Sequence, residues 1–98
     1  MRRAARTDAN QTSIVGIFIA SGWVVQSTAS LGAGFPDLIC ARQGRVVFVE
    51  IKDGSKKPSE RELTEAQQKW HKLWRGHIKL YVVDCNEDAY QIISEADA

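Results

Sequence analysis

Asp37, Glu50 and Lys52 are the residues whose types and spacing could do chemistry together. They lie at the outer ends of two apolar, β-branched runs, Asp37 to Arg42 and Arg45 to Lys52, with only Gln43-Gly44 between them. A two-residue gap of that kind predicts a β-hairpin. Pairing across such a turn sets Arg42 against Arg45, and each step outward keeps the residue numbers summing to 87, so Asp37 falls opposite Glu50. Because side chains alternate faces along a strand, Lys52 joins the two carboxylates on one side. Directly opposed like charges destabilise a strand pair, and burying a carboxylate is costly without compensation. A divalent cation would relieve both. Hard cations such as Mg²⁺ take carboxylate, carbonyl and water oxygens, often with only one or two protein carboxylates. Asp37, Glu50 and the Ile51 backbone carbonyl offer that donor set, and Lys52 could stabilise the negative charge that develops on a phosphate under attack.

The surrounding pattern predicts the elements that hold this group. Asp8 to Ser21 reads as a helix, with Gln11, Ile14, Val15, Phe18 and Ile19 at helical spacing, Thr7 or Asp8 available as a cap, and Gly22 after its end. Trp23 to Thr28 is a short β-rich run, and Leu31 to Pro36 a glycine-bearing loop. Within the hairpin, Ile39 and Phe48 line one face and Leu38, Val47 and Val49 the other, as expected of central strands covered on both sides. After a polar loop, Thr64 to Arg75 reads as a second helix with a Thr64-x-x-Gln67 capping box and Gly76 beyond it. Ile78 to Cys85 is a further strand, and Asn86 can cap a last helix through about Ser94. The order αβββαβα describes an α/β sandwich around a small mixed sheet, in one domain spanning 1–98.

Composition is compatible with this and excludes several classes. An apolar fraction of 44% and a charged fraction of 26% are ordinary for a globular protein and argue against a disordered or disulfide-scaffold chain. Cys40 and Cys85 sit in or beside apolar runs and read as reduced, structural thiols. No segment approaches the ~20 apolar residues of a membrane span, and the short apolar run after Met1-Arg2-Arg3 is interrupted as a signal peptide would not be. An intracellular, cytoplasmic protein is the expectation. Met1 to Lys79 carries all 13 basic residues against 7 acidic, whereas Leu80 to Ala98 carries 5 acidic and none basic. A positive body suits a polyanion, because Lys and Arg displace phosphate counterions; an ordinary solvated surface gives the same count.

Gly34-Phe35-Pro36-Asp37-Leu38-Ile39, then Phe48-Val49-Glu50-Ile51-Lys52-Asp53-Gly54, then Leu63-Thr64-Glu65-Ala66-Gln67 resembles the PD-(D/E)XK nuclease superfamily, in particular its compact VRR-NUC branch of phage-type stand-alone proteins. The resemblance covers nearly the whole chain and implies a restriction-endonuclease-like core. It implies Asp37 and Glu50 as metal ligands, Lys52 as the catalytic lysine, Gln67 as a supporting residue on the following helix, and Mg²⁺- or Mn²⁺-dependent hydrolysis of DNA phosphodiesters. Small members are similar to Holliday junction resolvases, which implies a homodimer acting on branched DNA and a phage or prophage source. A catalytically silent DNA-binding module of the same fold, or a subunit completed by a partner protein, are the alternatives.

One position departs from the family pattern. Relatives place a glutamate on the first helix, where this sequence offers Gln11, with Asp8 one turn earlier; Asp8 could serve as a further ligand or simply complement the helix start. Gln67 could support the site or close the capping box with Thr64. Lys56, Lys57 and Arg61 are candidate phosphate contacts in a loop that could equally be solvated. His71, four residues after Gln67, reads as a satisfied or solvated histidine, with DNA contact second. Trp70 and Trp74 read as core or dimer-interface residues and not as base-stacking platforms.

Overall fold

The computed structural model describes residues 9–97. The expected element order holds: helix α1 (Ala9–Ala20), strands β1 (Val24–Ser27), β2 (Leu38–Arg42) and β3 (Arg45–Ile51), helix α2 (Glu65–Trp74), strand β4 (Lys79–Val83) and helix α3 (Asn86–Asp97). The strands form one four-stranded sheet in the order β1-β2-β3-β4. It is mixed, antiparallel up to β3 and parallel between β3 and β4.

The hairpin has the register that its turn dictates: Arg42 pairs with Arg45 and Leu38 with Val49. Gln43 and Gly44 both have positive φ, 51° and 84°, the backbone that a tight turn matching the twist of its flanking strands requires. Alternation along the strands then sorts the side chains onto two faces. Leu38, Cys40, Val47, Val49, Ile51 and Val83 pack with Ile14 and Phe18 of α1 and Ala89 and Ile92 of α3 into one core cluster. Phe48, on the opposite face of β3, meets Trp70 of α2 at 6.2 Å between ring centroids, and Phe35 packs edge-on to Trp70 at 5.1 Å. α1 and α3 therefore cover one face and α2 the other, which makes β2 and β3 the buried central strands.

Three differences from the sequence reading have local causes. Ile19, expected on the inner stripe of α1, is 57% exposed, and Ile17 packs against the core instead; this helix is apolar around much of its girth, so periodicity could not choose the face. α3 runs past Ser94 to Asp97, because Ile93 and Ala96 continue the stripe of Ala89 and Ile92, and Asp97 pairs with Arg42 at 2.9 Å. Cys40 is buried, which pushes its thiol up to about 12, but Cys85 is exposed just beyond β4; both are free thiols. No helix among the described residues is long and apolar enough to cross a membrane.

The loop between β1 and β2 is fixed by one close approach. Gly34 has φ +83°, and a Cβ there would run into the Ala66 carbonyl oxygen in the first turn of α2. Only glycine meets both conditions. Gly34→Ala is therefore expected to cost about 2–3 kcal/mol, read as a lower midpoint in urea unfolding.

Candidate active site

The segment bearing Asp37 is held from behind by a residue that the sequence reading had placed only as the end of a strand. Thr28 is buried; its backbone N–H donates to the Asp37 carbonyl at 2.7 Å and its hydroxyl to the Pro36 carbonyl at 2.6 Å. Asp37 lies one step outside the last ladder pair, where the register sets it against Glu50, and its Oδ2 accepts the Ile51 N–H at 2.8 Å. The Glu50 side chain is only 2% exposed. Its Oε2 accepts a hydrogen bond from Gln67 Nε2 at 2.9 Å, while Oε1 is buried without a partner among the described residues. Burial, reinforced by the negative charge of the Asp37 carboxylate, pushes the Glu50 carboxyl up to about 8, with Lys52 pulling the other way.

Lys52 follows on the same face, with Nζ 3.8 Å from Glu50 Oε2 and donating to Gln67 Oε1 at 2.7 Å. The two roles open to Gln67 are filled at once. Its Oε1 also accepts the Thr64 N–H at 2.9 Å, and its own N–H donates to the Thr64 hydroxyl at 3.2 Å, closing the capping box. One side chain thus caps α2, orients Lys52 and donates to Glu50. A solved structure described as a VRR_NUC domain superposes on this chain with a TM-score of 0.70 at 26% identity, covering 93% of this chain and 97% of that one. The chain has the VRR-NUC fold. The match supports membership of that family and a nuclease-type domain. No family model and no curated protein sequence matches it.

The VRR-NUC site of this chain fits a hard divalent cation by its own chemistry. Two facing carboxylates supply oxygen donors, one Glu50 oxygen is buried and unpartnered, and the same carboxyl resists ionisation when nothing positive neutralises it.

The other sequence candidates are placed as follows. Asp8 lies outside the described residues, and Gln11 is half-buried on α1. On α1, Asn10 engages the active strand: its Nδ2 donates to the Lys52 carbonyl at 2.6 Å and the Asp84 carbonyl at 3.3 Å. Sequence reasoning passed it over because it looked for an acid. Lys56 and Lys57 are exposed in the loop after β3. Arg61 is engaged within the fold: Nη1 pairs with Asp84 Oδ2 and Nε donates to the Lys56 carbonyl, each at 2.9 Å, so it ties that loop to the end of β4. His71 is 4% exposed, with Nε2 buried and unpartnered among the described residues, so it presents no surface contact. Burial holds its imidazole below the usual histidine range, with Arg75 and Lys52 adding to the effect.

Proposed function

We propose that this chain is a divalent-metal-dependent DNA endonuclease, one domain over 1–98, that hydrolyses phosphodiester bonds with Asp37, Glu50, Lys52 and Gln67. The observation that carries the proposal is the unpartnered Glu50 oxygen buried at the Asp37 carboxylate, with an ammonium group 3.8 Å from its neighbouring oxygen. Asp37, Glu50 and the Ile51 carbonyl would hold Mg²⁺ or Mn²⁺. When bound, such an ion acts as a Lewis acid on the phosphate and lowers the pKa of water to nucleophilic range. Lys52, fixed by Gln67 and close to Glu50, places positive charge where the phosphate gains negative charge. Gln67 holds the lysine and the glutamate in one geometry, so neither must reorganise during reaction.

Purified protein with Mg²⁺ or Mn²⁺ is expected to nick plasmid DNA, and a panel of single-stranded, duplex, flap and four-way-junction DNA reads out its preferred substrate. Branched DNA is the preference we propose, acted on by a homodimer whose two sites make paired cuts. Uncut DNA under every divalent metal would sink the proposal. Gln67→Ala keeps the backbone N–H that the Thr64 hydroxyl accepts and is expected to lose the side-chain half of the capping box, up to about 1 kcal/mol, together with cleavage. Gln67→Glu keeps an oxygen for Thr64 and Lys52 but sets a carboxylate against Glu50, so it should retain the helix better than the alanine variant while cleaving as poorly.

The described part of α1 has no acid in its first turn, which favours one second reading, a silent DNA-binding module. Tight junction binding with no cutting would select it.

A further inference from the structure

Beyond the active site, α2 continues for two turns into a surface that the mechanism above does not use. Trp74 follows Gln67 by seven residues, about two turns and roughly 10 Å along the axis, and so returns to nearly the same face of the helix. Its indole lies parallel to that of Trp70, with ring centroids 4.8 Å apart and planes 8° from coplanar. Trp70 is in turn wedged against Phe35 and Phe48 at the sheet, so the pair is a rigid stack rooted in the fold. Trp74, its outer member, remains 38% exposed, beside Leu73 at 73%.

Charge identifies what this surface meets. Lys69, Lys72 and Arg75 on and after α2, and Lys79 at the start of β4, are all exposed. Among the described residues none of them takes part in an ion pair. Nor does the sequence place any Asp or Glu between Glu65 and Asp84. A second copy docking symmetrically here would bring this patch against itself and set cation against cation. A core role is equally unsuited to an indole left 38% exposed beside Arg75. Phosphate on a flexible strand meets the cations, and the flat face of an unpaired base meets the indole.

We propose that the Trp74 end of α2 is a single-strand platform: an unpaired base of the DNA stacks on Trp74 while Arg75, the next residue, engages a flanking phosphate. This rests on the reading of DNA as the substrate and narrows it to DNA with unpaired nucleotides next to the cut. The roughly 10 Å between Gln67 and Trp74 is at most about three nucleotide steps, since even a strand stacked in a duplex rises about 3.4 Å per nucleotide, so the strand entering the site reaches the platform within a few nucleotides. Inside an intact duplex every base already has both faces covered by neighbours. Blunt duplex therefore gains nothing from the indole, and selectivity for frayed, flapped or branched DNA follows without any base-specific contact.

The test is binding without metal, in EDTA, where nothing is cut. The probes are a labelled duplex with a single-stranded tail and a blunt duplex of equal length, followed by anisotropy, with intrinsic tryptophan fluorescence recorded alongside. The tailed duplex is expected to quench wild-type fluorescence more than the blunt one. Trp74→Ala is expected to lose about 5- to 100-fold in affinity for the tailed duplex and less than about two-fold for the blunt one. Trp74→Phe, which keeps a π-face, should recover most of the loss. Equal losses on both probes, no loss on either, or a wild-type dimer that becomes a monomer on Trp74→Ala would each overturn the proposal. If the tail-dependent difference appears but no divalent metal supports cutting, the platform stands and the endonuclease reading alone fails.

Discussion

Lys52→Ala is expected to lower the rate of metal-dependent DNA cleavage by about 100- to 1,000-fold while leaving the fold intact. The lysine is half-buried, and its ammonium group sits among polar partners and not in the apolar core. Removing it leaves Gln67 Oε1 still occupied by the Thr64 N–H, so the cap survives. What disappears is the positive charge beside Glu50 and the phosphate. Unchanged circular dichroism and thermal midpoint, with cleavage reduced under both Mg²⁺ and Mn²⁺, would identify the loss as catalytic. Cleavage at the wild-type rate would remove Lys52 from the mechanism.

Glu50→Gln should separate what the site costs the fold from what it contributes to function. A carboxyl at about 8 in the folded protein and near 4.5 when unfolded binds its proton more tightly in the folded state. In the metal-free protein its contribution to stability is fully present below pH 4.5 and is lost as pH rises toward 8. Glutamine has nearly the same shape and no proton to lose, so the variant should escape this decline. Above pH 8 it is expected to be the more stable protein, by something on the order of 3 kcal/mol, and yet inactive. The same linkage makes metal binding pH-dependent. Since a bound cation needs the ionised carboxylate, the rise in melting temperature that Mg²⁺ or Mn²⁺ gives the wild type should grow between pH 6 and pH 9 and vanish in Glu50→Gln. A variant less stable than wild type at pH 9 in the absence of metal would contradict the account of Glu50 as a carboxylate buried in wait of a cation.

The hairpin register was legible in the sequence because Gln43-Gly44 leaves it no freedom: a two-residue turn fixes every opposing pair, and Asp37 against Glu50 follows by counting. The capping box was legible because it is local, four residues long and chemically reciprocal. What could not be read were contacts between residues far apart in the chain. Asn10 reaches the Lys52 carbonyl across 42 positions, and Thr28 secures Asp37 through backbone groups; neither leaves a mark on spacing or periodicity. Arg61 has a contact of the same long-range kind. Its charge and its place in a loop suggest a phosphate ligand, and the sequence gives no sign that the parallel β3–β4 pairing brings Asp84 alongside its guanidinium. The face that α1 turns inward was ambiguous because its apolar residues surround the helix, and packing, not pattern, decides it.

Gln67 gives the hydrogen bond of a helix cap and the alignment of a catalytic lysine to one amide group, so opening the first turn of α2 also dissolves the site. Assembly of the active centre is therefore a folding event in miniature, and its lifetime is the lifetime of a helix end. Protection of the Gln67 and Thr64 amide protons against exchange with solvent would then rise and fall with the fraction of molecules competent to cut, and a ligand that freezes that turn would raise both together.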